Sequence, residues 1–186
     1  MDKASPATVT ITVYTKDGEL KGQKVITIPA SGKIKETVET LFPELYGHVD
    51  WGTIQSDRDI AGIEIYGTSD SAICGFGLPS IATTEGYLPE VLNSETIWTG
   101  IGITNPGTSE AVVTIQLVDK DGTVKAEKTE HVAQKNRFTA VVSQLFDETA
   151  IADGDYIRYI SGVPVLALVV SGDNARTYMT ALTGRQ

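Results

Sequence analysis

The residues able to carry chemistry are few, and their spacing binds them to no common site. His48, His131 and the single Cys74 are the soft donors of a 186-residue chain. A zinc site needs three or four such ligands at short spacing, and these three lie far apart. Both histidines read as solvent-facing loop or strand residues. Cys74, beside Gly75 in an apolar run, reads as a small buried hydrophobe with no base near it in sequence. The stretch "DKDG" (Asp119, Lys120, Asp121, Gly122) resembles the start of a calcium loop, but the ligand before the glycine is missing and Thr15 stands in the related "TKDG". It reads as a hairpin turn. "SGDN" (171–174) and "GTSD" (67–70) read as turns in the same way. The pairs Asp57/Asp59 and Asp153/Asp155 could imitate an acid–base couple, which requires two carboxyls across a cleft with different pKa values. Acidic loop tips are the simpler account. No G-x-S-x-G elbow and no glycine-rich phosphate loop before a helix occurs. No catalytic residue, cofactor or metal ligand is assigned, and the chain reads as a non-enzyme.

Aromatic rings offer the other chemistry, stacking on the apolar faces of sugars. Tyr46, Trp51 and Tyr66 have no aromatic equivalents at the repeat offset described below, which makes them candidate ligand-binding residues. The competing role for Trp51, as for Trp98, is core packing.

The elements that must position these residues repeat. "TITVYTKDGEL" (10–20) returns as "TIQLVDKDGTV" (114–124), an offset of 104 residues. Asp17 and Gly18 fall on Asp121 and Gly122, Val38 on Val142, and Leu41 and Phe42 on Leu145 and Phe146. Fixed-period similarity is the mark of duplication. Val9, Ile11 and Val13 alternate with polar residues, and Val113, Ile115 and Leu117 do the same. Period-two alternation running into Asp-Gly predicts a hairpin in each unit, because glycine accepts the positive φ of tight turns. Further strands are predicted over 24–28, 51–55, 60–66, 72–78, 129–133, 156–160, 165–171 and 177–183. Short helical turns are predicted over 36–42 and 140–146. The fold class is therefore all-β: two tandem immunoglobulin-like β-sandwich domains related by internal duplication, each with a short helical turn. The first covers residues 1–79. The second, with its connector, covers 80–186. The connector over 77–95, "GLPSIATTEGYLPEVLNSE", reads as loop. Ahead of the second hairpin, a strand around Ile101 and Ile103 contains Trp98 and ends in the turn Asn105-Pro106-Gly107. The first unit shows no such strand. A sheet edge left unpaired there could recruit another segment or another copy, a route to homo-oligomers.

A net charge of −9, spread over both halves, disfavours nucleic acid and anionic membrane surfaces. The longest apolar run, "VPVLALVV" (163–170), is too short to span a bilayer as a helix, so no membrane insertion is expected. The opening "MDKASPATVT" has no apolar stretch of the export-signal kind. That fits either a cytosolic protein or a piece whose signal lies upstream.

The succession "LPSIATTEGY…WTGIGITNPG", then "RFTAVVSQLF", then "GVPVLALVVSGD" resembles tandem β-sandwich repeats of secreted or surface-attached bacterial proteins. The resemblance implies a structural or interaction module that spaces and presents surface loops for protein or glycan contact. It implies an extracellular, cell-surface or periplasmic setting and brings no catalytic residue. Ser80 stands where many such repeats carry a histidine, so no role is carried over to it. The rival readings are a carbohydrate- or ligand-binding module using exposed aromatics and, behind it, an enzyme with a site between the domains.

Overall fold

The computed structural model describes residues 5–67, 72–79 and 81–184; Ser80 and the Thr68–Asp70 part of the "GTSD" stretch lie outside them. The protein is all-β in class, with helix confined to single turns. It divides into two compact units, Met1–Gly62 and Ile63–Gln186.

The first unit is a three-stranded antiparallel sheet in the order β2-β1-β3, formed by β1 (Ala7–Tyr14), β2 (Leu20–Ile28) and β3 (Trp51–Ser56). Between β2 and β3 run the helical turn α1 (Val38–Leu41) and a 3-10 turn, Pro43–Leu45. Alternation in β1 sends Ala7, Val9, Ile11 and Val13 to one face, where Val9, Val13 and Phe42 are buried. Thr37 caps α1, its hydroxyl accepting from the Thr40 amide at 3.1 Å.

The second unit begins with a two-stranded ribbon, β4 (Ile63–Gly67) and β5 (Ile73–Gly77). There follow β6 (Thr83–Leu88), β7 (Ile97–Thr104), β8 (Ala111–Val118), β9 (Val124–Val132), β10 (Arg137–Val141), α2 (Val142–Leu145), β11 (Tyr156–Asp173) and β12 (Met179–Thr183). The sheet runs β10-β7-β11-β8-β9, with β6 and β12 also paired to β11. β11 holds it together. Its first half pairs with β8 and β6, its second half with β7 and β12. Pro164, which has no amide hydrogen to donate, lies in the irregular stretch between the halves. The two expected strands over 156–160 and 165–171 are thus one. Ile101 and Ile103 of β7, Val113, Ile115 and Leu117 of β8, and Ile157 and Tyr159 of β11 form one sealed core with Val142 and Phe146. Each fully buried aliphatic chain contributes about 1.5–3 kcal/mol.

Two expectations about boundaries differ from what is found. The ribbon β4–β5, expected within a first domain of 1–79, belongs to the second compact unit, where β5 runs beside β12. The connector, read as loop, contains β6. Thr-Thr-Glu-Gly-Tyr-Leu has no clean alternation, and the strand exists because β11 offers it an edge, reinforced by Arg158 bonded to Glu85 at 2.6 Å and 2.9 Å.

The 104-residue offset reappears in the strand pairing. In the first hairpin Ala7 pairs with Ile28 and Tyr14 with Leu20; in the second Ala111 pairs with Val132 and Val118 with Val124. The register shift falls at Val13/Tyr14 and again at Leu117/Val118. Gly18 and Gly122 take φ of 81° and 86° at the turns, and Ser31 and Lys135 take 55° and 59° further on. Trp51 pairs with Tyr14 as Tyr156 pairs with Val118. The second unit has one extra residue ahead of β11, so the counterpart of Trp51 is Tyr156 at an offset of 105. Trp51 therefore does have an aromatic equivalent, contrary to expectation, because the ungapped frame stops short of it.

Candidate functional site

The three aromatics singled out from sequence do not converge. Tyr46 follows the 3-10 turn and is 64% exposed. Trp51, at the start of β3, is half-buried and stacks on its cross-strand neighbour Tyr14, with centroids 4.6 Å apart and planes 18° from parallel. Its indole Nε1 donates to the Thr15 carbonyl at 3.1 Å, tying β3 to the first hairpin. That is a structural use of one ring face. Tyr66 belongs to the second unit. It sits opposite Cys74 on the ribbon and edge-on to Phe76 at 5.9 Å. Burial, with Cys74 beside it, raises the pKa of the Tyr66 hydroxyl. Burial also raises the Glu64 carboxyl, with Arg137 opposing.

Two adjoining hollows in the second unit share Trp98, Val141 and Gln144. One, of about 490 Å³, is lined by Asn93, Ser94, Ser143 and Asn174 as well. The other, of about 440 Å³, adds Tyr66, Arg137, Thr139 and Leu168. The floor arises from the sequence of β7. Alternation sends Thr99, Ile101 and Ile103 toward the core and leaves Trp98, Gly100 and Gly102 on the other face. The Arg137 guanidinium lies over Gly102, its Nη2 3.2 Å from where a Cβ would stand, and the Trp98 ring lies over Gly172, 2.9 Å by the same measure. Neither ring nor guanidinium could lie so close to a larger residue. The site therefore joins an indole, a guanidinium and several amides and hydroxyls on a rigid sheet. Such a surface can stack a planar or apolar ligand face and bond its polar edge. Tyr66 and Trp98 were picked out in sequence, the latter for its place in the repeat. Arg137 and Gln144 were missed. The Trp-x-Gly-x-Gly spacing was the available signal, since three alternate residues of a strand share one face.

The remaining candidates have other work. The Asp119 carboxylate accepts from the Asp121 and Thr123 amides at 2.9 and 2.8 Å, and these bonds hold its pKa below the ordinary value. Thr15 does the same job in the first hairpin, its hydroxyl accepting from the Glu19 amide at 3.1 Å, which explains why Thr and Asp exchange there. Asp17 and Asp121 pair with Lys16 and Lys120 on the surface. Asp173 clamps the last turn through Thr177 and Tyr178, and its pKa is likewise lowered. Asp57 accepts from the Thr8 amide, and buried Asp155 from the Lys125 ammonium at 2.6 Å. His131 meets Glu110 in the open. Asn105 is wholly buried; its Nδ2 donates to the Ser109, Val132 and Ala133 carbonyls and its Oδ1 accepts from Gly107. Pro106, next to it, accepts from Lys135 Nζ through its carbonyl. Among the described residues no three His, Cys, Asp or Glu side chains gather as a metal site, and no helix is long and apolar enough to cross a membrane.

No protein-family model and no curated protein matches the chain. A solved structure, that of Thermotoga maritima 1070, is similar over 56% of this chain and 94% of its own, at 15% identity and a TM-score of 0.47.

Proposed function

We propose that the protein is a non-catalytic structural and interaction module built of two β units of common ancestry. The sandwich reading, immunoglobulin-like in the broad sense of two packed antiparallel sheets, rests on the single core cluster of the second unit, to which β7, β8 and both halves of β11 contribute. The ancestry rests on the shared register of the two hairpins. The observation that carries the function is a contrast in apolar exposure. The second unit seals its core, yet its ribbon holds Ile63, Ile65 and Ile73 at 69%, 56% and 68% exposure. The first unit leaves Ile34, Val38 and Ile54 exposed as well. Clustered apolar exposure of this kind marks contact surfaces. An extracellular, cell-surface or periplasmic setting is part of the proposal and is supported by the sequence resemblance alone.

The test uses the labelled full chain on peptide and glycan arrays, beside variants carrying serine at 63, 65 and 73 or at 38 and 54. The reading expects peptide signals that one variant set abolishes while thermal unfolding is unchanged. Absence of signal at millimolar ligand on both arrays overturns it. A second reading, glycan binding, is favoured by the Trp98 site, where an indole stands among Asn93, Ser94, Ser143 and Gln144. Trp98→Ala would then remove glycan signals and leave peptide signals intact.

A further inference from the structure

Val9, Val13 and Phe42 are buried as Val113, Leu117 and Phe146 are, but at four other matching positions the first unit is the more exposed. Val142 is 1% exposed and its counterpart Val38 46%; Tyr159 is 2% exposed and its counterpart Ile54 46%. Ile115 is fully buried, whereas Ile11 is only partly buried. Phe138 packs on the core of the second unit, whereas its counterpart Ile34 is 38% exposed. In the second unit these positions are covered by Ile101 and Ile103 of β7, with β10 hydrogen-bonded along the far edge of β7. Leu88 of β6, on the outer edge of the first half of β11, completes the cover.

Three features of the first unit follow from the lack of counterparts to β6 and β7. Its inner face is left open around Val38 and Ile54. β3 is paired to β1, and among the described residues nothing pairs its other edge, the one that β6 takes on β11. Residues 33–37, the counterparts of β10, form no strand. β10 is a strand because β7 offers it an edge, and 33–37 have no such edge. One missing segment accounts for all three.

We propose that the first unit is an acceptor for an extended segment of the β6–β7 kind, supplied by another unit of the same type. The segment adds one strand to the free edge of β3. It lays a second, carrying isoleucine at alternate positions, across Ile11, Val38 and Ile54, and this second strand draws 33–37 into the sheet. Backbone hydrogen bonds supply the attachment, and the alternate isoleucines supply the selectivity. The inference rests on the common ancestry proposed above.

The experiment fuses a copy of residues 80–104 directly ahead of Met1 of the full chain, which restores the 104-residue frame. Amide hydrogen exchange at 33–37 and along β3 is compared with that of the unfused chain. At least tenfold slowing in the fusion is expected, and no slowing when the grafted copy carries aspartate at the positions of Ile101 and Ile103. Ile54→Ser and Val38→Ser should leave unfused exchange unchanged and abolish the gain in the fusion. Equal exchange in fused and unfused chains, with native spectra for both, overturns the proposal. So does slowing in the unfused chain that rises with its own concentration, since β6 and β7 of a second copy are already paired to β11 and another surface of it would then be the cover. Either failure leaves the array result and the shared hairpin register standing, so it is distinguishable from failure of the functional reading.

Discussion

Replacing Asn105 tests the local logic of the second unit most sharply. The side chain is at 0% exposure and bonds four backbone groups: the carbonyls of Ser109, Val132 and Ala133 at 2.8, 2.9 and 3.1 Å and the Gly107 amide at 2.9 Å. Two amide hydrogens serve three carbonyls, so the set amounts to about three full bonds. Asn105→Ala removes them and strands buried acceptors, at about 1 kcal/mol or slightly more each. The expected loss is about 3–4 kcal/mol. For a unit of this size that lowers the melting temperature by roughly 12–16 °C. The assay is urea and thermal unfolding in a Trp51→Phe background, where Trp98 reports on the second unit alone. Asn105→Asp sharpens the test. Its carboxylate would face three carbonyl oxygens, so its folded-state pKa must rise above the unfolded value of about 3.9. Relative to the parent, Asn105→Asp should therefore be least destabilised below pH 4 and progressively worse as pH rises through the folded pKa. A loss under about 1 kcal/mol for Asn105→Ala, or a deficit for Asn105→Asp that shrinks with rising pH, would refute the assignment of these bonds.

Lys125→Met should cost about 2–3 kcal/mol in chemical denaturation, because it leaves the 2%-exposed Asp155 carboxylate without its ammonium partner. Gly172→Ala should destabilise the second unit by about 1–3 kcal/mol and shift Trp98 fluorescence, since the new Cβ would stand 2.9 Å from the indole and 3.0 Å from the Tyr178 carbonyl. Asp119 and Asp173 have lowered pKa values, so their turn clamps are in place above the ordinary carboxylate pKa and are lost as pH falls through the folded values. Carboxyl-carbon NMR titration should give midpoints below about 3.9 for both; a midpoint at or above that value contradicts the clamp.

Much of the fold is legible in the chain because it is local. Alternation in Val9-Ile11-Val13 and Val113-Ile115-Leu117 gives the inner faces, and Asp-Gly gives the turns, so each hairpin is determined by contiguous residues. The helical turns fall within the expected windows for the same reason. β6 was not legible, because its strand character comes from an edge contributed by residues about 75 positions away. The Trp98 site was half legible. The Trp-x-Gly-x-Gly face is local, whereas Arg137, Gln144 and Tyr66 reach it through three other segments.

By itself, then, the sequence determined the strand-forming pattern, the two turns with their glycines, and the recurrence of the hairpin pattern 104 residues on. These depend on backbone preference and side-chain period, which neighbouring residues establish between themselves. Only the tertiary structure decided that matching positions have unequal burial, that the ribbon joins the second unit, and that "KIKET" stays out of a sheet while "RFTAV" enters one. The physical reason is that an apolar face is buried, and a strand edge satisfied, by whatever segment is present to cover it. Nothing within Val38 or Ile54 records whether that segment has arrived.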